Sequence, residues 1–113
     1  YLVRGNKLYA QSILSGLLID TGSIDLAKNI LKNIELELEK QIRPMYQFTV
    51  ETPFNLYLAY KSLLNKETGL KYLDIAKNEM IKISKVLNDL NKKTYIEQVP
   101  TNQKIIGLVG GNI

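Results

Sequence analysis

An all-α fold of antiparallel helical hairpins stacked side by side is predicted by three observations. Apolar residues recur every three or four positions: Leu14, Leu17 and Leu18 over 8–21, and Ala27, Ile30, Leu31, Ile34 and Leu38 over 24–42. A Thr-Gly pair, Thr21-Gly22, separates these two stretches, and a second, Thr68-Gly69, lies 47 residues further on. Around each pair the layout is alike, a helix of about 13 residues before the turn and a longer one after it with alanine in its second turn. Repetition at such a distance is the pattern of hairpins that stack because alone they cannot bury both faces.

The elements follow in order. Residues 1–7 are mixed, with Gly5-Asn6 as a local breaker, and complete an element begun upstream. Residues 8–21 form the first helix. Gly22 ends it in the left-handed conformation, which costs glycine no Cβ clash, and the Ser23 hydroxyl caps the second helix, 24–42. Asp25 sits in its first turn, where the positive end of the helix dipole favours an acid. Ser15, Gly16 and Ala27 are the small residues expected where the two backbones approach most closely.

Arg43-Pro44 stops the second helix, because the residue before proline is pushed out of the α region. Residues 45–52 read as extended or irregular, with Thr52 as cap and Pro53 at the first position of a third helix. That helix runs over 54–66, with Leu56, Ala59, Tyr60, Leu63 and Leu64 on one face, and Thr68-Gly69 closes it. A fourth follows over 70–90, carrying Leu73, Ala76, Met80, Ile83, Leu87 and Leu90. Asn91-Lys92-Lys93 loosens the chain, 95–99 makes a short turn before Pro100, and Thr101 caps a last short helix to residue 109. The expected organisation is one module, 1–113, with hairpin one at about 8–42, hairpin two at about 53–90 and a C-terminal segment at 94–113. Four main helices and a short C-terminal one make it up. The opening at Tyr1 and the close at Gly110-Gly111-Asn112-Ile113 read as the ends of a piece of a longer protein.

Composition narrows the chemistry. The 113 residues are 45% apolar and 23% charged, an ordinary globular balance, and they contain neither cysteine nor histidine. Disulfides, thiolate zinc sites, cysteine nucleophiles and imidazole bases are thereby excluded. No Asp-x-Asx-x-Asx-Gly calcium loop appears, and no metal or cofactor is expected. No apolar run approaches the roughly 18–20 residues of a membrane span, and no signal sequence opens the chain, so a cytoplasmic protein that does not enter the membrane is expected. The net charge is +4, with six basic and six acidic side chains in 1–60 and nine lysines against five acids in 61–113.

Within the first hairpin, Leu14, Gly16, Leu18, Gly22, Ala27, Leu31 and Ile34 follow a pattern of large residues, small residues and a turn glycine. This resembles the tetratricopeptide-like repeats, in a longer-helix form. Residues 71–80, followed by Tyr95-Ile96-Glu97-Gln98-Val99-Pro100-Thr101-Asn102, are similar to the closing segment of helical repeat arms in bacterial signalling ATPases and transcriptional regulators. The resemblance implies stacked hairpins and a scaffolding or regulatory arm with no active site of its own. It also implies an inner groove lined by the first helix of each hairpin.

Gly107-Leu108-Val109-Gly110-Gly111 lacks the Lys-Ser/Thr of a phosphate loop, and Glu35, Glu37 and Glu39 spread over different faces of a helix. No catalytic set emerges. Lys77, Lys82, Lys85, Lys92 and Lys93 are interrupted by Asp74 and Glu79, and only Arg4 and Arg43 offer the bidentate contacts nucleic acid favours, so they read as a solvated face. The seven tyrosines say more. Tyr9, Ser12, Gly16 and Asp20, with Tyr57, Tyr60 and Lys61, are the candidate contacts of a groove for a protein or peptide, since tyrosine combines apolar area with a polar tip. Trimming Tyr57 or Lys61 to alanine is then expected to weaken binding with helicity intact. The expected role is a non-catalytic protein- or peptide-binding scaffold or regulatory module, self-associating or docking within its parent chain. The alternatives are a small-molecule or signalling-peptide sensing domain of a transcriptional regulator and a small basic nucleic-acid-binding protein.

Overall fold

The computed structural model describes residues 2–40 and 48–109, with side chains from residue 6 onward. Among them are six α-helices and no strand: α1 Leu2–Asp20, α2 Ile24–Lys40, α3 Glu51–Ser62, α4 Lys66–Ser84, α5 Asp89–Gln98 and α6 Pro100–Val109. The all-α expectation holds, and six helices replace the four and a short one. No described helix is long and apolar enough to cross a membrane.

The first hairpin closes at the glycine its sequence indicates. Gly22 takes φ +88, while the N–H groups of Thr21, Gly22 and Ser23 donate to the carbonyls of Leu17, Ile19 and Leu18 at 3.0, 3.1 and 2.8 Å. This crossed pair of bonds around a left-handed residue is the Schellman ending, which satisfies the carbonyls a helix otherwise leaves open. Ala27 and Ser15 are fully buried, as small residues between close helices should be. Gly16 is not among them: a Cβ built on it meets nothing within 4 Å. The breaker expected at Gly5-Asn6 does not act, because α1 runs through it. The stop expected at Arg43-Pro44 lies outside the described residues, as do 45–47; of the stretch expected to be extended or irregular, 49–50 form a turn and Glu51 and Thr52 already belong to α3.

The second hairpin turns elsewhere than expected. Thr68 and Gly69 lie inside the first turn of α4, and the chain reverses at Leu63-Leu64-Asn65. Leu64 adopts φ +61, and the N–H groups of Leu63, Leu64 and Asn65 donate to Ala59, Lys61 and Tyr60 at 3.0, 3.1 and 2.9 Å. Asn65 then caps α4, its side-chain oxygen accepting from Thr68 N at 3.3 Å. Gly69, freed from turn duty, is buried against the α3 backbone, where an added Cβ would stand 3.5 Å from the Tyr57 carbonyl. The start of α3 is also displaced. Val50 holds the cap position without a side-chain bond, so Thr52 and Pro53 sit within the first turn. Pro53 is tolerated there because the N–H groups of a first turn have no partner in the helix.

These bonds reveal the true repeat. Every backbone turn bond of the first hairpin recurs 42 residues later, including Ala27 N to Ser23 O at 3.1 Å and Gly69 N to Asn65 O at 3.0 Å. Burial follows the same frame: Leu8 and Val50, Ser12 and Phe54, Ser15 and Tyr57, Ala27 and Gly69, Leu31 and Leu73, Ile34 and Ala76 are buried in pairs. The expected spacing of 47 matched Thr-Gly to Thr-Gly, whereas the backbone matches Gly22 to Leu64.

Helix α1 packs on α2, α3 on α4, and α1 on α3. Tyr9 stacks on Phe48 and Asn55 Nδ2 donates to Ser12 Oγ at 3.1 Å, so residue numbers rise together along α1 and α3 and the two first helices run in the same sense. One core joins Leu31 and Ile34 to Leu56, Ala76, Met80 and Ile105. Burying a side chain of this size stabilises by roughly 1.5–3 kcal/mol. The long fourth helix expected over 70–90 breaks at Lys85–Asn88. Asn88 caps α5 by accepting from Asn91 N at 2.8 Å, and the segment expected to loosen at 91–93 is helical instead. α5 has no buried residue; α6 ties it down through Asn102, whose Nδ2 donates to the Tyr95 carbonyl at 2.8 Å.

The two turns differ in strain. A non-glycine residue in the left-handed region costs roughly 1–2 kcal/mol, and Leu64, 92% exposed, loses no packing when trimmed. In urea denaturation Leu64→Gly is expected to gain about 0.5–1 kcal/mol and Gly22→Ala to lose about 1 kcal/mol.

Candidate functional site

The first helices share a face. On α1, Tyr9, Ile13, Gly16 and Asp20 fall four, three and four residues apart, one stripe of a helix. Ser12, Ile13, Gly16, Leu17 and Asp20 form one wall of an open cleft, and Asn55, Leu58, Ala59 and Ser62 of α3 form the other, around a volume of about 300 Å³. The walls are equivalent: 13, 16, 17 and 20 lie 42 residues before 55, 58, 59 and 62. The cleft is therefore a product of the repeat. Small and large residues exchange places between the walls, Gly16 being equivalent to Leu58 and Leu17 to Ala59. Ile13, Leu17 and Leu58 are exposed aliphatic side chains on its rim.

Its floor is polar and ordered. Ser12 is buried, donating from Oγ to the Tyr9 carbonyl at 2.6 Å while accepting from Asn55, and Ser15 Oγ donates to the Ser12 carbonyl at 2.7 Å. The buried hydroxyls are thereby satisfied, as burial of a polar group requires. At one end stands the Tyr9–Phe48 pair, with ring centroids 3.9 Å apart and planes 5° from parallel. At the other end α1 and α3 terminate side by side at Asp20 and Ser62, so two helix C-termini and one carboxylate give that end negative potential in a chain whose net charge is +4.

The expected groove residues divide into three groups. Ser12, Gly16 and Asp20 line the cleft, and Tyr9 stands at its end. Tyr57 and Lys61 line a separate pocket of about 390 Å³ inside the second hairpin, with Leu64, Lys66, Gly69 and Leu70. Tyr57 is only 7% exposed, tilted against Phe54 with Lys61 Nζ 6.0 Å from its ring centroid. Alanine at 57 would hollow the core, contrary to the expectation of intact folding. Tyr60 turns to the opposite side. Its ring lies nearly parallel to Tyr72 with centroids 6.0 Å apart, and Tyr72 donates to Glu35 Oε1 of α2 at 3.1 Å.

Sequence reasoning missed Ile13, Leu17, Asn55, Leu58, Ala59 and Ser62. The aliphatic pair Ile13 and Leu17 at a four-residue interval was a visible signal, but the wall on α3 needs the 42-residue frame, which Thr68-Gly69 concealed. α4 ends at Ser84, which puts Lys77 and Lys82 on one helix and Lys92 and Lys93 on another, and Lys82 stands 4.0 Å from Glu79. Among the described residues no three acidic side chains are gathered to hold a metal ion. Comparison with protein-family models, curated proteins and solved structures finds no match for this chain.

Burial and then the hydrogen bond and charge of Glu35 push the Tyr60 phenol up from 10.0, and burial followed by the same charge pushes Tyr72 up. A phenol raised on folding keeps its proton in the folded chain where the unfolded chain has lost it, so this stabilisation is complete below about pH 10 and fades as pH rises beyond. Urea midpoints measured from pH 9 upward are expected to fall above about pH 10, and to fall less steeply in Tyr72→Phe.

Proposed function

We propose that the chain is a non-catalytic module that binds a protein or peptide in the α1/α3 cleft, in the manner of a longer-helix tetratricopeptide-like repeat. One observation carries the reading. Equivalent positions of two first helices running in the same sense line a single open cleft, with aliphatic side chains on its rim and a hydrogen-bonded polar floor. Such a surface has the makings of a recognition site: apolar area to desolvate, fixed by groups that hold their rotamers.

The cleft also selects among partners. Its rim favours aliphatic side chains four residues apart on a helical ligand, or two apart on an extended one. Its Asp20 end favours a lysine or arginine beyond them, since a cation near a helix C-terminus gains about 0.3–1 kcal/mol. A second reading, a domain sensing a small molecule, draws on the Tyr57 pocket, which is mostly apolar and carries Lys61 and Lys66. Its volume of about 390 Å³ lies at the small end for ligand sites.

A displayed library of short peptides selected on the immobilised chain tests the first reading. Enriched sequences are expected to pair two aliphatic residues with a downstream or upstream cation. Leu58→Asp should weaken the best of them by at least about tenfold, and Asp20→Asn by about two- to fivefold, with unchanged far-ultraviolet dichroism. Equal affinity for wild type and Leu58→Asp sinks the assignment of the cleft.

A further inference from the structure

The corner of hairpin two is strained without an internal reason. Leu64 holds φ +61 there, in the region that glycine and asparagine enter most readily, and hairpin one places Gly22 at the equivalent position. Leu64 is 92% exposed, so its side chain adds almost no packing to set against that strain. A strained residue with an exposed apolar side chain points to a role outside the fold. Leu64 is also one wall of the pocket of about 390 Å³ formed with Tyr57, Lys61, Lys66, Gly69 and Leu70.

The 42-residue frame shows that the lining of this pocket is particular to hairpin two. Tyr57, Lys61, Lys66 and Leu70 correspond to Ser15, Ile19, Ile24 and Lys28. Ile19 and Ile24 are half-buried whereas Lys61 and Lys66 are exposed, so hairpin two sets a pair of cations where hairpin one has aliphatic side chains. Among the described residues neither lysine forms an ion pair, and Lys61 Nζ stands 6.0 Å from the centroid of the Tyr57 ring. Glu67 shares the first turn of α4 with Lys66 but does not line the pocket. An apolar hollow backed by an aromatic ring, with two unpaired ammonium groups among its walls, matches a molecule that is apolar at one end and anionic at the other.

We infer that this pocket binds a small amphipathic carboxylate, whose apolar body covers Leu64, Leu70 and the Tyr57 ring while its anionic head meets Lys61 and Lys66. The volume holds a single ring or a short acyl chain rather than a large cofactor. Lysine suits the head, because a compact ammonium on a flexible stem can follow a carboxylate that is not fixed in orientation. The ligand removes Leu64 from water, which the fold itself does not. The pocket shares no residue with the α1/α3 cleft, so this ligand class rests on the small-molecule reading alone and leaves the peptide reading untouched.

Titration of the isotope-labelled chain with sodium octanoate, followed in amide NMR spectra, is the test, with octanol and octylammonium as the neutral and cationic counterparts. Octanoate is expected to give saturable shifts at the amides of Leu64, Gly69 and Leu70, with a dissociation constant between about 10 µM and 1 mM. Octanol and octylammonium should bind at least about fivefold more weakly. The double variant Lys61→Gln, Lys66→Gln should weaken octanoate about two- to tenfold and remove its advantage over octanol. Leu64→Gly, which stabilises the corner, should weaken octanoate about three- to tenfold, a loss that unfolding cannot cause. Leu58→Asp, in the cleft wall, should leave octanoate binding unchanged. Octanol that shifts the same amides as tightly as octanoate overturns the carboxylate class and keeps the small-molecule reading. If none of the three probes gives saturable shifts at those amides up to about 3 mM, both are overturned.

Discussion

A two-helix hairpin of about forty residues has more apolar surface than its own helices can cover, and the arrangement of this chain follows from that deficit. In each hairpin the second helix carries a small buried residue at the same place, Ala27 in the first and Gly69 in the second. Hairpin two then solves the remainder from both sides, with α1 against one flank of α3 and α6 against the other. Hairpin one solves only one side. Positions spent on packing in one unit are left exposed in the other.

The two long faces of the stack do different work. On the side of the second helices, Tyr72 stacks on Tyr60 of α3 and donates to Glu35 of α2, so one ring ties α4 to both. On the side of the first helices, the polar bonds are short-range and lie beneath an open rim: Ser15 to Ser12, Ser12 to Tyr9, and Asn55 across to Ser12. A rigid floor under exposed aliphatic side chains lowers the ordering cost of receiving a ligand. A tyrosine-lined groove would have been more adhesive and less defined. The tyrosines instead hold the frame.

Much of the fold was legible in the residues themselves. Periodicity located α1 to α4, and the glycine at 22 announced a left-handed residue that the backbone does adopt. What escaped was context. Thr68-Gly69 looks like Thr21-Gly22, yet Asn65 competes for the cap and wins, and the glycine serves packing because Tyr57 needs the space. Leucine at a left-handed position gives no local warning at all. α5 escaped for the opposite reason, since a helix that buries nothing has no apolar stripe to betray it. The candidate site was legible by half. Ser12, Gly16 and Asp20 lie on one stripe of one helix, which spacing alone reveals, whereas on α3 Tyr57 and Lys61 face one pocket and Tyr60 turns to Tyr72, a division that only tertiary packing decides.

The matched turns at Gly22 and Leu64 make the chain modular in a practical sense. A cassette cut from residue 22 to residue 63 begins just where one reversal is completed and ends just before the next, so both splice points share a single joint geometry. Inserting a further cassette between residues 63 and 64 lengthens the array without inventing a connection. The new unit inherits a covered flank from its predecessor and offers one to its successor. Growth by duplication is written into the backbone at those two corners.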